Sequence, residues 1–256
     1  MNCTVPVKQN KEFIGLFKNY KHISEYISIY VYTNKIYLQN MDSNQICLCD
    51  LTILSDWFED YNGDNDFIFH IKSEHFSKIL ATHEEGQQIN LKALSSSDKL
   101  CITFKNEKNK KTFKLALQDL QTEQISIESI DYDVEFSLDS KIFDSYCNQL
   151  AGFGEIINLH CNEEHIYLST KSIDTNMNIE IPIDVLSHYE LVEDSDFAGY
   201  SNDFDNKYFN IIGTFKNVCD KVYLYLQDDK PLVIKISPTD SFIFRMFVAP
   251  QIKDGE

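Results

Sequence analysis

IYLQNMDSNQICLCDLTI, residues 36–53, reads as two strands joined by a turn. In the first strand Ile36 and Leu38 point one way and Tyr37 and Gln39 the other. In the second, Ile46 and Leu48 share a face, and Cys47, Cys49, Leu51 and Ile53 share the opposite one. That alternation has the period of two that a sheet requires. Asp42, Ser43 and Asn44 supply the short polar side chains of a tight turn.

Working outward, residues 8–23 read as a helix, with Phe13, Leu16, Phe17 and Tyr20 as its apolar stripe. Lys11, Lys18 and Lys21 recur on another face. Phe67, Phe69 and Ile71 alternate as a strand. Ser73 is the expected N-cap of a helix to residue 82 that buries Phe76, Ile79 and Leu80 and exposes Lys78. Strands follow at 89–94, 100–106 and 112–117. Residues 117–133 carry no helical stripe and read as a polar surface linker with apolar anchors at Leu120, Ile125, Ile127 and Ile130. The order then repeats: a strand at 134–138, a helix at 141–150, and strands at 156–161, 165–171 and 177–181. An acidic region spans 189–205. A last helix at 206–218 and strands at 222–227, 231–236 and 242–248 close the chain. Two similar α+β domains are expected from this order, although residue identity between the halves is not detectable.

Composition bounds the function. The 256 residues can bury a substantial core, and 43% hydrophobic residues fit a soluble globular chain. No apolar run is long enough for a membrane helix, and the N-terminus MNCTVPVKQNKEF lacks the character of a signal peptide. The sequon Asn2-Cys3-Thr4 is therefore expected to be silent. Seven scattered cysteines without a CxxC pair read as reduced core thiols of an intracellular protein. A net charge of −17 argues, taken alone, against nucleic acid.

Candidate chemistry is sparse. His160, Cys161, Glu163, Glu164 and His165 form HCNEEH, but the spacing is wrong for two histidines on one helix, so a polar hairpin turn is expected and no metal site. Cys47 and Cys49 share a strand face without a fixed histidine partner. Only eight glycines occur, and no phosphate-binding loop. No catalytic residue and no cofactor are assigned. An acidic thiol enzyme is the alternative of a different class.

Four motifs in order carry a resemblance. They are LQNMDSNQ at 38–45 followed by CDLTI at 49–53, DLQTEQISIESIDY at 119–132, DKPLVIKI at 229–236 and FVAPQI at 247–252. Together they resemble the eukaryotic-type DNA sliding clamp family, that of proliferating cell nuclear antigen. The resemblance implies an α+β DNA clamp fold: two similar domains, each with two helices packed on antiparallel sheets, forming a ring. The N-terminal domain would span 1–117, the interdomain connector 118–133 and the C-terminal domain 134–256. It implies a processivity factor, not an enzyme, that encircles double-stranded DNA without sequence preference as a homotrimer. Its partners would be DNA polymerase and other replication and repair proteins bound through short peptides, and a clamp loader. It would work in the nucleus, or at a viral replication site. A subunit of a mixed clamp and a viral transcription factor on the same fold are the alternatives within the family.

The resemblance also assigns residues. Met41, Asp42, Gln45, Ile46, Leu48, Ile125, Ile127, Tyr132, Pro231, Phe247, Val248, Ala249 and Pro250 would receive the partner peptide. Lys21, Lys78 and Lys207 match basic channel positions, and Lys11, Lys18, Lys141 and Lys216 fall on or near the channel wall. Ala81, Ser145, Asn148 and Thr214 stand where the family generally has basic residues, so the channel is expected to be thinly basic. Lys110, Lys111, Phe113, Lys114 and Leu115 would meet Asp174, Met177, Ile179 and Glu180 of a neighbouring subunit. Two departures concern the family's connector proline, which is Glu128 here, and its modified lysine, which is Glu163, with Lys171 nearby. On this reading the acidic outer surface repels stray duplex and favours DNA inside the hole.

Overall fold

In the computed structural model, residues 1–63, 66–127, 132–192 and 199–252 are described. In chain order the first half holds β1 (Asn2–Val5), α1 (Asn10–Asn19), β2 (Tyr26–Val31), β3 (Lys35–Met41), β4 (Cys47–Leu54) and β5 (Asp60–Asn62). It continues with β6 (Phe67–Lys72), α2 (Ser73–Leu80), β7 (Gln88–Lys92), β8 (Lys99–Lys105) and β9 (Lys110–Ala116). The second half holds β10 (Val134–Asp139), α3 (Ser140–Ala151), β11 (Ile156–Cys161), β12 (His165–Lys171), β13 (Asn176–Pro182) and β14 (His188–Leu191). It closes with β15 (Tyr200–Asp205), α4 (Asn206–Gly213), β16 (Lys221–Leu226), β17 (Leu232–Thr239) and β18 (Phe242–Val248). Among the described residues, no helix is long and apolar enough to cross a membrane.

The two halves have the same order of strands and helices, and their pairings repeat. β1 pairs with β5 and β7, as β10 pairs with β14 and β16. β2 pairs with β6 as β11 pairs with β15, and β3 pairs with β4 as β12 pairs with β13. All these pairs are antiparallel. The chain divides into two compact units, Met1–Ser126 with Ser237–Phe244, and Ile127–Ile236 with Arg245–Glu256.

Each unit has its own aromatic core. In the first, Phe13 and Phe17 of α1 meet Phe76 of α2 with ring centroids 6.4 and 5.3 Å apart. In the second, Phe143 of α3 stacks on Phe209 of α4 at 6.0 Å. The tip of the last hairpin belongs to the first unit. Ser241 O accepts from Leu54 N at the end of β4 (2.9 Å), and Phe242 packs on Trp57 at 5.0 Å.

Several local details correct or add to the sequence reading. β4 begins at Cys47, which leaves Ile46 in the turn. β3 is covered on both faces, so Tyr37 and Gln39 are as buried as Ile36. Ser73 does not cap α2. It lies in the first turn, buried, and donates to Ser24 O (2.6 Å) and Glu25 O (2.9 Å), tying α2 to the loop after α1. Ile79 is only half-buried. The first helix is α-helical only over Asn10–Asn19, with 3-10 turns on either side, and the last ends at Gly213. α3 is capped by Asp139, whose carboxylate accepts from Lys141 N and Ile142 N. β15 forms inside the acidic stretch, because Tyr200 and Phe204 are buried while the residues between them face outward or lie half-exposed.

Candidate functional site

The turn after β3 is built by Asp42. Its Oδ1 accepts from Ile46 N (2.9 Å) and Cys47 N (2.8 Å), and Gln45 takes a left-handed backbone at φ 58°. Asp42 is therefore buried and occupied by its own turn. The turn presents Met41, at 38% exposure, and half-buried Ile46 and Leu48. Ile125, at 44% exposure, belongs to the same unit. Sequence reasoning passed over Gln39, which holds the Ile125 backbone. Its Oε1 accepts from Ile125 N (2.7 Å) and its Nε2 donates to Ile125 O (2.9 Å).

In the second unit Ile127, Pro231, Ala249 and Pro250 are half-buried, and Tyr132 packs on Tyr225 with centroids 5.2 Å apart. Phe247 is buried, with the Arg245 guanidinium 5.2 Å from its ring centre. Val248 is fully buried, backbone included, and packs behind the surface residues. Glu128 and Ile130 lie outside the described residues.

The lysines on the helices differ in what surrounds them. Lys11 and Lys18 on α1, Lys21 just beyond it, and Lys141 on α3 are exposed. Lys78 pairs with Glu74 at 2.6 Å and Lys216 with Asp144 at 2.6 Å. Lys207 lies 3.7 Å from Asp205 and 4.5 Å from the centre of the Tyr208 ring. The Lys78 ammonium holds the Glu74 carboxyl below its usual range, chiefly by the hydrogen bond between them. At two neutral departures the side chain turns back on its own helix. Asn148 Nδ2 donates to Asp144 O (2.8 Å) and Thr214 Oγ1 to Ile211 O (2.6 Å).

β9 and β13 are edge strands of their sheets. Phe113 is half-buried against Phe104, and Leu115 is buried. Lys111 already reaches Glu84 Oε1 (2.5 Å) and Thr82 O (2.8 Å) within the same chain. Met177 and Ile179 are half-buried, Asp174 is exposed, and Glu180 lies 3.2 Å from His165 Nε2.

HCNEEH folds as a strand, a turn and a strand. Asn162 Oδ1 accepts from Glu164 N and His165 N, His160 Nδ1 lies 2.9 Å from Tyr200 O, and Cys161 is buried. Glu163 is exposed in that turn, and Lys171 is exposed at the end of β12. A different group, Glu135, His188 and Glu190, brings three potential metal-ligand atoms within 4.8 Å of one another. His188 Nε2 lies 3.2 Å from Glu135 Oε1 there, the distance of a histidine–carboxylate pair. Burial raises the thiols of Cys49 and Cys147, and pushes Cys3 up to about 12 and Cys161 up to about 11. That direction keeps these thiols protonated and weakens them as nucleophiles.

Residues 8–136 match the family described as proliferating cell nuclear antigen, N-terminal domain, and residues 126–251 match proliferating cell nuclear antigen, C-terminal domain. The chain belongs to the proliferating cell nuclear antigen family. It is similar to proliferating cell nuclear antigen 2 of Drosophila melanogaster, at 25% identity over 229 residues that cover 87% of each chain. The proliferating cell nuclear antigen family is one of non-enzymatic DNA sliding clamps, processivity factors of replication and repair for which a homotrimeric ring is typical. The chain is a divergent member with the α+β clamp fold.

Proposed function

We propose that this protein is a DNA sliding clamp that encircles duplex DNA as a homotrimer and tethers DNA polymerase and other replication and repair proteins. The observation that carries the ring is a mismatch inside the repeat. β4 and β13 are counterparts, as are β18 and β9. The end of β4 is engaged by the tip of the hairpin that contains β18, whereas β13 and β9 are both sheet edges. A neighbouring subunit's β9 against β13 would repeat between chains what the hairpin tip does within one. Such a head-to-tail contact builds a ring when its rotation closes, and it covers edges that otherwise invite stray pairing.

On this reading the N-terminal domain spans 1–117, the connector 118–133 and the C-terminal domain 134–256. Lys11, Lys18, Lys21, Lys78, Lys141, Lys207 and Lys216 face the DNA and make loose phosphate contacts. Partner peptides bind Met41, Ile46, Leu48 and Ile125 of the first unit, beside Asp42 and Gln45. They bind Ile127, Tyr132, Pro231, Phe247, Ala249 and Pro250 of the second, with buried Val248 packed behind. A clamp loader opens the ring at a nuclear replication site.

Calorimetry with a polymerase-derived peptide tests the peptide residues. Ile125→Ser with Ile127→Ser is expected to lose at least about 2 kcal/mol, roughly thirtyfold in affinity, with the oligomer mass unchanged. Undiminished affinity in that variant would place the peptide elsewhere.

A further inference from the structure

The connector after β9 has one isolated bridge, between Gln118 and His70, and no further strand pairing up to residue 127. Its backbone groups need partners nonetheless. At Ile125 a side chain supplies them. The Gln39 amide uses its Oε1 as an acceptor and one Nε2 hydrogen as a donor on a single residue, as a neighbouring strand would use its own backbone. Gln39 is 6% exposed. Its Nε2 also donates to Tyr37 Oη (3.0 Å), and Tyr37 Oη donates to Asp50 Oδ2 (3.4 Å), where Asp50 is 1% exposed. The clamp is thus the outer end of a buried polar chain that runs across β3 and β4. Networks of this kind are costly to break, because every freed group is left in a poorly solvated place.

The result is a backbone held in place with its side chain turned out. Ile125 keeps 44% of its surface exposed while its N–H and C=O are both bonded. We infer that Gln39 is the positioning residue for the partner site. It locks the connector at Ile125 so that the exposed isoleucine forms a fixed wall rather than a mobile one. This rests on the peptide-binding reading above. A wall fixed beforehand spares a ligand the entropy of ordering it.

Hydrogen exchange and peptide calorimetry on the intact protein test this together. Gln39→Met keeps the volume and removes both bonds. Gln39→Asn, one methylene shorter, stays polar and cannot span both partners, and it serves if the methionine variant folds poorly. In either variant the Ile125 amide is expected to exchange at least tenfold faster. The Gln118 amide, held by the His70 carbonyl at 2.8 Å, is expected to keep its protection. Affinity for a polymerase-derived peptide is expected to fall roughly tenfold, with oligomer mass unchanged and the melting temperature lowered, as loss of a buried polar network requires. An Ile125 amide that stays protected overturns the clamp. A freed amide with unaltered peptide affinity overturns its role in binding. If the unmutated protein binds no such peptide while Ile125 exchange still depends on Gln39, the peptide-site reading fails and takes the positioning role with it.

Discussion

Strands β9 and β13 each lie at the edge of a sheet, and each alternates exposed and half-buried residues up to one buried residue near its end, Leu115 in β9 and Ile181 in β13. Their charges differ. β9 carries Lys110, Lys111 and Lys114, while β13 carries Glu180, with Asp174 just before it. Equal backbones with opposite charges teach which pairing is open to them. β9 against a second β9 would bring lysines together, and β13 against β13 would bring acids together. Only β9 against β13 joins unlike charges, and that contact is head-to-tail.

The largest expected effect comes from breaking this complementarity. Lys110→Glu with Lys114→Glu is cleaner than any change at Lys111, because Lys111 also ties its own hairpin to Glu84. The double reversal is expected to weaken the trimer by about 2 kcal/mol, roughly thirtyfold. Light scattering at low micromolar protein would then show a mass below three times the 29.8 kDa chain. Adding Asp174→Lys and Glu180→Lys to the same chain is expected to restore the trimer. An unchanged mass in the first variant, or no recovery in the second, would break the comparison.

The helix lysines differ within both halves. Lys11, Lys18 and Lys21 of the first unit and Lys141 of the second make no ion pair among the described residues, whereas Lys78 of the first lies beside Glu74, and Lys207 and Lys216 of the second lie beside Asp205 and Asp144. Replacing the first three by alanine is expected to lower low-salt duplex affinity and to reduce the salt slope by about two to three. Lys207→Ala with Lys216→Ala is expected to change it by less than one. Equal slopes for the two variants would remove the distinction.

The smallest effect concerns how each half holds the segment that leaves its last strand. His70 O accepts from Gln118 N (2.8 Å), and at the matching place in the repeat Asp203 O accepts from Gln251 N (2.7 Å). Only the first position is a histidine. Burial lowers its pKa from the ordinary 6.5, against smaller opposing effects of the Leu120 backbone and Asp119. Ser28 Oγ lies 3.1 Å from its Nδ1. The folded state therefore resists protonation that the unfolded state accepts. Stability is expected to fall as pH drops through the ordinary histidine range. His70→Asn should flatten that part of a melting-temperature profile between pH 7 and 5, and an identical profile would remove His70 as its source.

How much of this was legible in sequence depended on whether one face or two are covered. The period-two alternation located the hairpin at 36–53 and set Tyr37 and Gln39 opposite Ile36 and Leu38, but it gave no sign that both faces are buried. The connector covers the face of Gln39, and a polar glutamine gives no apolar signal of burial. β2, YISIYV, has its central residues buried on both faces, so a simple inside–outside alternation does not describe it. Ser73 sat where an N-cap is expected, yet its hydroxyl bonds a neighbouring loop, a tertiary contact that spacing cannot reveal. The edge strands and the helix lysines were found through motif order. The ion pairs with Glu84 and Asp144 needed coordinates, because only folding brings Lys111 to Glu84 or Lys216 to Asp144, whereas Lys78 and Glu74 are four residues apart on one helix.

The most direct test of the central claim is topological. The protein is loaded by a clamp loader onto nicked circular DNA, isolated by gel filtration, and the DNA is then cut once. A closed ring held loosely by a thinly basic channel is expected to stay with the circle through moderate salt and to leave after linearisation. Retention on the linear product, or loss from the intact circle at the same salt, would contradict a clamp that encircles DNA.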